Sequence, residues 1–211
     1  MKRFLGGRMA LILAGAVLGA GICLGTFFFF LRGPFSGGGS ARPDDTLSQI
    51  EMSLLVSAAL YEGNYTALSA WVSPEKGLTV VPFSTVDPAA SVTFTAAEVR
   101  DIPSNKQNYI FGVSPIDDLP IDMVPAEFFQ EYMQTRDFSA APVIGVNRVI
   151  KVGNAAENIA EAYPDCVFVD LYYPPGDPLE GVDWISMKLV LEPIDGIYVL
   201  TALVRSVYTQ Q

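Results

Sequence analysis

The stretch DWISMKLVLE (residues 183–192), followed by PIDG (193–196) and IYVLTALVRSVY (197–208), decides the fold. Both long segments are rich in β-branched and other apolar residues, which favours strands, and Asp195-Gly196 is typical of a tight hairpin turn. The segment 165–173 has the same character. We therefore predict strands at 165–173, 182–192 and 197–208 that form a three-stranded antiparallel meander.

Alternation of side chains assigns the residues of this hairpin to two faces of the sheet. Each residue is assigned to the same face whether the turn has two or four residues, because the two pairing registers differ by an even number of residues. One face, which we predict to be covered by helices, carries Ile185, Met187, Leu189, Leu191, Leu200, Ala202 and Val204.

The opposite face carries the candidate ligand-binding residues, which are Asp170, Tyr172, Trp184, Lys188 and Arg205. Asp170 and Tyr172 would supply a general acid and base if this face bordered a pocket. The alternative is an exposed face on which Asp170 pairs across strands with Lys188 or Arg205, and Trp184 packs against a helix or a second subunit. We favour this structural role, because no histidine or nucleophile accompanies these residues.

Upstream of the meander, the pattern predicts helices and short strands of one α+β domain, residues 46–211. A first helix is predicted at 46–62, with Asp44 or Asp45 as N-cap and an apolar face of Ile50, Leu54, Leu55, Ala58 and Tyr61. Further helices are predicted at 125–134 and 154–163, a short helix after the capping box formed by Thr95 and Glu98, and strands at 78–83, 91–95 and 109–113.

Residues 9–31 form an uncharged apolar run that follows Lys2, Arg3 and Arg8. About 20 apolar residues span a bilayer as a helix, and flanking basic residues stay in the cytoplasm. We predict a cytoplasmic N-terminus at 1–8, an anchor at 9–31, a flexible Gly/Ser linker at 32–45 and an exported domain. A cleaved signal peptide and a lipoprotein signal with lipidated Cys23 are the alternatives, and both also place the domain outside.

Charge and composition exclude several classes of function. From Asp44 onward 23 acidic residues face eight basic ones, a net charge of −15, which makes nucleic acid a poor partner. The absence of histidine excludes Ser-His-Asp and Cys-His triads and histidine metal sites. Cys166 is predicted to lie in the core. Asp117, Asp118 and Asp122 lack the spacing of a calcium loop, so we expect no metal or cofactor.

The layout of anchor, linker and the strand pair DWISMKLVLE and IYVL around Asp195-Gly196 resembles uncharacterised exported, lipoprotein-like proteins of Gram-positive bacteria. The order of helices and then a curved antiparallel sheet also resembles the NTF2-like (cystatin-like) α+β fold. This second resemblance implies a conical pocket between sheet and helices, where enzymes of that fold keep an acid and a base.

These observations predict a membrane-anchored, extracytoplasmic and non-catalytic module of the bacterial cell envelope that binds a small ligand or another envelope protein. A homodimer through the exposed sheet face is a further expectation. The alternative is a small-molecule lyase or isomerase that uses Asp170 and Tyr172 as acid and base.

Overall fold

The computed structural model describes residues 48–176 and 181–209. The predicted N-terminus (1–8), anchor (9–31) and linker (32–45), with Cys23, lie outside the described residues. Within the described ranges, no helix is both long and apolar enough to cross a membrane.

The described chain has a mixed α+β fold with a curved sheet, as the sequence predicts. The helices are α1 (Gln49–Tyr61), α2 (Tyr65–Ser69), α3 (Ala96–Asp101), α4 (Pro125–Phe128) and α5 (Ile159–Ala162); a π-helical turn, Phe129–Met133, continues α4, and a 3-10 turn spans Phe138–Ala140. The strands are β1 (Leu78–Val81), β2 (Val92–Phe94), β3 (Tyr109–Val113), β4 (Pro120–Met123), β5 (Val143–Val146), β6 (Val167–Tyr173), β7 (Ile185–Ile194) and β8 (Ile197–Val207).

The predicted meander is present as β6, β7 and β8, at the centre of a six-stranded sheet with the order β2-β1-β8-β7-β6-β5. Its hairpin closes over Asp195 and Gly196, whose φ angles of 50° and 85° fit the turn type that Asp-Gly favours. Strand β1 pairs in parallel with β8, and β5 adds an antiparallel edge beyond β6. Strands β4 and β5 are absent from the sequence-based prediction.

Helices cover one face of the sheet, and the main core lies between them. Met187, Leu189 and Leu203 of the sheet are fully buried there, together with Met52 and Val56 of α1. The separate β3–β4 hairpin closes one end of this core, where the rings of Phe111 and Phe128 stack with centroids 3.7 Å apart.

A β-bulge in β8 changes the predicted distribution of residues between the faces. Val190 lies opposite Ala202, but Leu191 lies opposite Leu200, so Thr201 is an extra residue without a cross-strand partner. A bulge reverses the alternation beyond it. The prediction that Ala202 and Val204 share the helix-covered face is therefore wrong.

The second face of the sheet is covered as well, by residues 147–163. Ile159 of this segment packs in a second apolar cluster with Phe168, Val190 and Val204. The prediction of an exposed sheet face is therefore wrong for Asp170 and Lys188, both of which have no exposed surface. The homodimer predicted through that face stays a prediction. Asp170 and Lys188 have no exposed surface with which to contact a second subunit.

The predicted helices 46–62 and 154–163 need correction. The N-cap of α1 is Ser48, which exchanges hydrogen bonds with Glu51, and not Asp44 or Asp45. Because α1 is apolar on several sides, spacing alone selected the wrong face, and Ile50, Leu55 and Tyr61 of the predicted apolar face are exposed. Of 154–163, only α5 is helical.

Candidate functional site

The five candidate residues are divided between the two faces of the sheet. Asp170, Tyr172, Trp184 and Lys188 lie on the face that residues 147–163 cover, with the rings of Tyr172 and Trp184 6.1 Å apart. The bulge at Thr201 places Arg205 on the helix-covered face, opposite Met187. The predicted five-residue constellation therefore does not form one site.

Lys188 is the centre of a buried polar network. Its Nζ lies 2.8 Å from Oε2 of Glu157 and donates a hydrogen bond of 2.5 Å to Oγ of Ser206. Ser84 donates in turn to the same Ser206 oxygen. Although a lysine beside a serine suggests a Ser-Lys nucleophile, Lys188 is paired with the Glu157 carboxylate, and neither Lys188 nor Ser206 has exposed surface.

Asp170 lies opposite Lys188 on the neighbouring strand, but its carboxylate has other partners. Oδ1 accepts a hydrogen bond of 2.6 Å from the Ser186 hydroxyl, and Oδ2 accepts one of 2.8 Å from the Ile150 amide. Among the described residues, no ion pair joins Asp170 to Lys188 or to Arg205 within 4.0 Å. The predicted cross-strand pair is thus corrected, and Asp170 binds the covering segment to the sheet.

Two asparagines also hold the covering segment in place. Asn158 accepts a hydrogen bond of 2.8 Å from the Val86 amide and donates one of 2.9 Å to the Val86 carbonyl oxygen. Asn147 accepts from the Phe168 amide at 3.0 Å. The polar side chains of Asp170, Lys188, Asn147 and Asn158 therefore have structural partners.

Burial raises the pKa of the Asp170 carboxyl above its ordinary value of 3.8, against the opposing effects of Lys188, the Ile150 amide and the Ser186 hydroxyl. A folded-state pKa above the unfolded one means that the native state binds the proton more tightly. The stability from this group is complete below the unfolded pKa and is lost as the pH rises through the folded pKa.

Asp170→Asn, which cannot ionise, should lack that pH dependence. We expect the unfolding free energy of the unchanged chain, relative to that of Asp170→Asn, to fall as the pH rises from about 4 through the folded-state pKa. Denaturant unfolding of both full-length proteins over a pH series measures this difference. A difference that grows with pH would show that the carboxylate is stabilised by the fold.

An open cavity of about 530 Å³ lies at the end of the sheet where β7 begins and β8 ends, and residues from both faces of the sheet line it. We call it the Arg205 cavity. The π-helical turn supplies Glu131 and Tyr132, and the two strands supply Ile185, Arg205 and Val207. Its remaining lining residues are Phe83, Ser114, Ile116, Thr135, Arg136, Val182, Asp183, Trp184, Tyr208 and Thr209.

The guanidinium of Arg205 has few partners in this cavity. Its Nη1 donates a long hydrogen bond of 3.3 Å to the Pro82 carbonyl oxygen, and its Cζ lies 5.8 Å from the centroid of the Tyr132 ring. Its Nε and the Nε1 of Trp184 are buried donors without an acceptor. Burial lowers the pKa of Arg205, but arginine stays charged in proteins.

The acidic loop and the cysteine are the remaining reactive candidates in the described part of the chain. No group of three or more histidine, cysteine, aspartate or glutamate residues there is arranged to hold a metal ion. Asp117, Asp118 and Asp122 are exposed. Cys166 is half-buried rather than deep in the core, and burial raises the pKa of its thiol.

Sequence reasoning missed Glu157, Ser206 and Tyr132. Glu157 lies 31 positions before Lys188, in a segment predicted as a continuous helix, so no local pattern links the two. The run from Phe128 to Tyr132 was predicted as an ordinary helix. Nothing in this run indicates the π-helical turn. The turn places the Tyr132 ring with its centroid 6.1 Å from that of Phe83.

No protein-family model and no curated protein sequence matches the chain. Four chains of solved structures match it. One of these, from Xanthomonas campestris, is described as a calcium/calmodulin-dependent protein kinase II association domain; it is 13% identical, the match covers 83% of this chain and 97% of that chain, and the TM-score is 0.31. That similarity is too low to assign a function to this chain. None of these comparisons tests the resemblance to exported lipoprotein-like proteins, which stays a prediction.

Proposed function

We propose that this protein is a non-catalytic binding module of the bacterial cell envelope, anchored through residues 9–31, whose exported NTF2-like domain takes a small ligand in the Arg205 cavity. The fold assignment is supported by helices that pack on a sheet ending in an antiparallel meander. The location is supported by the apolar run at 9–31 and its basic flank.

The Arg205 cavity is the observation that carries the binding role. Ligand pockets typically occupy about 300 to 1,000 Å³, with mostly apolar walls and a few polar groups that fix orientation. The cavity has about 530 Å³, aromatic walls from Phe83, Tyr132 and Trp184, and one half-buried guanidinium. A non-catalytic role needs no acid and base, which this chain would have to supply without histidine.

The alternative function, a lyase or isomerase with Asp170 and Tyr172 as acid and base, has less support. A general base must come within hydrogen-bond reach of the proton that it removes. Both oxygens of Asp170 already accept hydrogen bonds, and the residue has no exposed surface. The raised pKa of Asp170 has a structural cause, which is its burial beneath residues 147–163.

Blocking the cavity tests the binding role. Thr135 is exposed at the cavity, and Thr135→Phe should obstruct it without disturbing the core. In a Trp71→Phe background Trp184 is the only tryptophan, so its fluorescence reports on the cavity wall. We expect small aromatic acids, amides and amines from a fragment set to include saturable binders, and Thr135→Phe to abolish their signal.

The matched control is Thr66→Phe, which makes the same change at an exposed position of α2 that does not line the cavity. It should leave the fluorescence titration unchanged. The binding role would be contradicted if no fragment altered the Trp184 signal, or if Thr135→Phe bound the fragments as well as Thr66→Phe did.

Protease treatment of intact spheroplasts tests the location. The positive flank of residues 9–31 predicts that the protease digests the domain and leaves a short membrane fragment. Mass spectrometry of the mature N-terminus distinguishes an intact Met1 from a lipidated Cys23. A domain protected from the protease would contradict the extracytoplasmic location.

A further inference from the structure

We propose that the ligand of the Arg205 cavity is a small organic anion, a carboxylate on a flat apolar body, whose oxygens bind the Arg205 guanidinium. This inference rests on the proposed binding function and specifies its ligand class. It begins from a half-buried charge that forms no direct ion pair with a described carboxylate.

A guanidinium taken out of water needs an anion or several acceptors to offset the lost hydration. Of the described carboxylates, none forms an ion pair with Arg205 within 4.0 Å. The guanidinium has five N–H donors, and its one hydrogen bond, to Pro82, is long. A carboxylate matches the planar fork of arginine with two parallel hydrogen bonds, which no neutral ligand group does with equal strength.

Three other charged residues line the cavity. The charge of Glu131 opposes the effect of burial on the pKa of Arg205, although the two form no ion pair within 4.0 Å. Arg136 places its guanidinium 4.7 Å from the centre of the Tyr173 ring. The carboxylate of Asp183 accepts a hydrogen bond of 2.9 Å from the Gly176 amide. Arg205 is the more buried of the two arginines in the lining, and no described carboxylate lies within 4.0 Å of its guanidinium.

The walls define the rest of the ligand. Phe83 and Tyr132 meet edge to face in the lining, and Trp184, Ile185 and Val207 add further apolar surface. Aromatic walls favour flat or aliphatic groups by stacking and by burial of apolar surface. A ligand with a carboxylate and an apolar body would satisfy both the cation and the walls.

The overall charge of the chain makes this selectivity easy to assign. From Asp44 onward the net charge is −15, so the long-range field repels anions and attracts cations. A preference for an anionic probe over a cation of the same shape must therefore come from a local group. Arg205 is that group.

The experiment uses three probes of one shape, which are phenylpropionate, phenylpropionamide and phenylpropylammonium. Each is titrated by calorimetry and by Trp184 fluorescence into the full-length detergent-purified chain carrying Trp71→Phe. Phenylpropionate should bind about 10- to 100-fold more tightly than phenylpropionamide, as expected for a charge-assisted hydrogen-bond pair. Arg205→Met should abolish that preference, so that phenylpropionate binds no more tightly than phenylpropionamide.

Two further variants control for charge and folding. Arg100→Met removes an exposed arginine from α3 and should retain the full preference. Arg205→Lys keeps the charge without the planar fork and should retain only part of it. Arg205→Met should melt at a temperature no lower than the unchanged chain, because it removes a half-buried charge that forms no direct ion pair.

Equal affinity for phenylpropionate and phenylpropionamide would overturn the ligand class, and so would a preference that survives Arg205→Met. Both results would leave the cavity as a binding site and the proposed function intact. If none of the three probes and no fragment altered the Trp184 signal, the binding function itself would be contradicted.

Discussion

Replacing Lys188 by alanine is expected to lower the free energy of unfolding by about 3 to 5 kcal/mol, the usual cost of removing one partner of a buried ion pair. Lys188 has no exposed surface, and its partner Glu157 is only 10% exposed. The variant would leave the Glu157 carboxylate buried without a counter-ion and would remove one of the two donors to the Ser206 oxygen. Denaturant unfolding of the full-length chain measures the loss. Alternation alone, which places Lys188 on an exposed face, predicts about 1 kcal/mol.

Lys76→Ala is the matched control. Lys76 also forms an ion pair, with Nζ 2.6 Å from Oε1 of Glu192, but its side chain is 53% exposed. An exposed pair contributes about 0 to 1 kcal/mol. The double replacement of Lys188 by methionine and Glu157 by leucine should cost less than either single change, because it leaves no unpaired charge. If Lys188→Ala cost no more than Lys76→Ala, the buried network would not exist.

Leu189→Ala should cost about 2 to 5 kcal/mol, because truncation of a buried leucine leaves a cavity that the surroundings fill only partly. Leu189 lies in the middle of β7, between Val169 and Leu203 on the neighbouring strands, and has no exposed surface. Surrounding strands restrict any collapse into the vacated space. Equilibrium unfolding of the full-length protein gives the value.

Leu119→Ala makes the same chemical change where the side chain is 60% exposed, just before β4. A surface substitution of this kind typically alters stability by about 0.5 kcal/mol or less. Comparable losses for the two variants would mean that β7 does not present Leu189 to the helix-covered core.

Local patterns were sufficient for the elements that local physics determines. The Asp195-Gly196 turn requires two positive φ angles, and this pair is among the few that accept them readily, so sequence located the β7–β8 hairpin. The capping box that opens α3, Thr95 with Glu98, was equally readable. The boundaries of β3 agree with the predicted strand 109–113.

The candidate site depends on interactions between distant segments, which sequence alone could not reveal. Polar Ser186 and Lys188 alternate with apolar residues in β7, the pattern of a strand with one solvated face. That face is covered by residues 147–163, whose polar groups match those of the strand. Arg205 lies on the face opposite to the predicted one because of the bulge at Thr201. Thr201 is β-branched and typical of a regular strand, so its type does not indicate a bulge.

The bulge also has a consequence for how this domain tolerates changes in length. On either side of Thr201 the ladder is regular, with Leu200 opposite Leu191 and Ala202 opposite Val190. Deleting Thr201 would join these two ladders without shifting a single cross-strand pair, whereas deleting any neighbour within β8 would require the bulge to move or the ladder to slip. A deeply buried strand thus contains one position whose deletion leaves the residues of both faces of the sheet in phase.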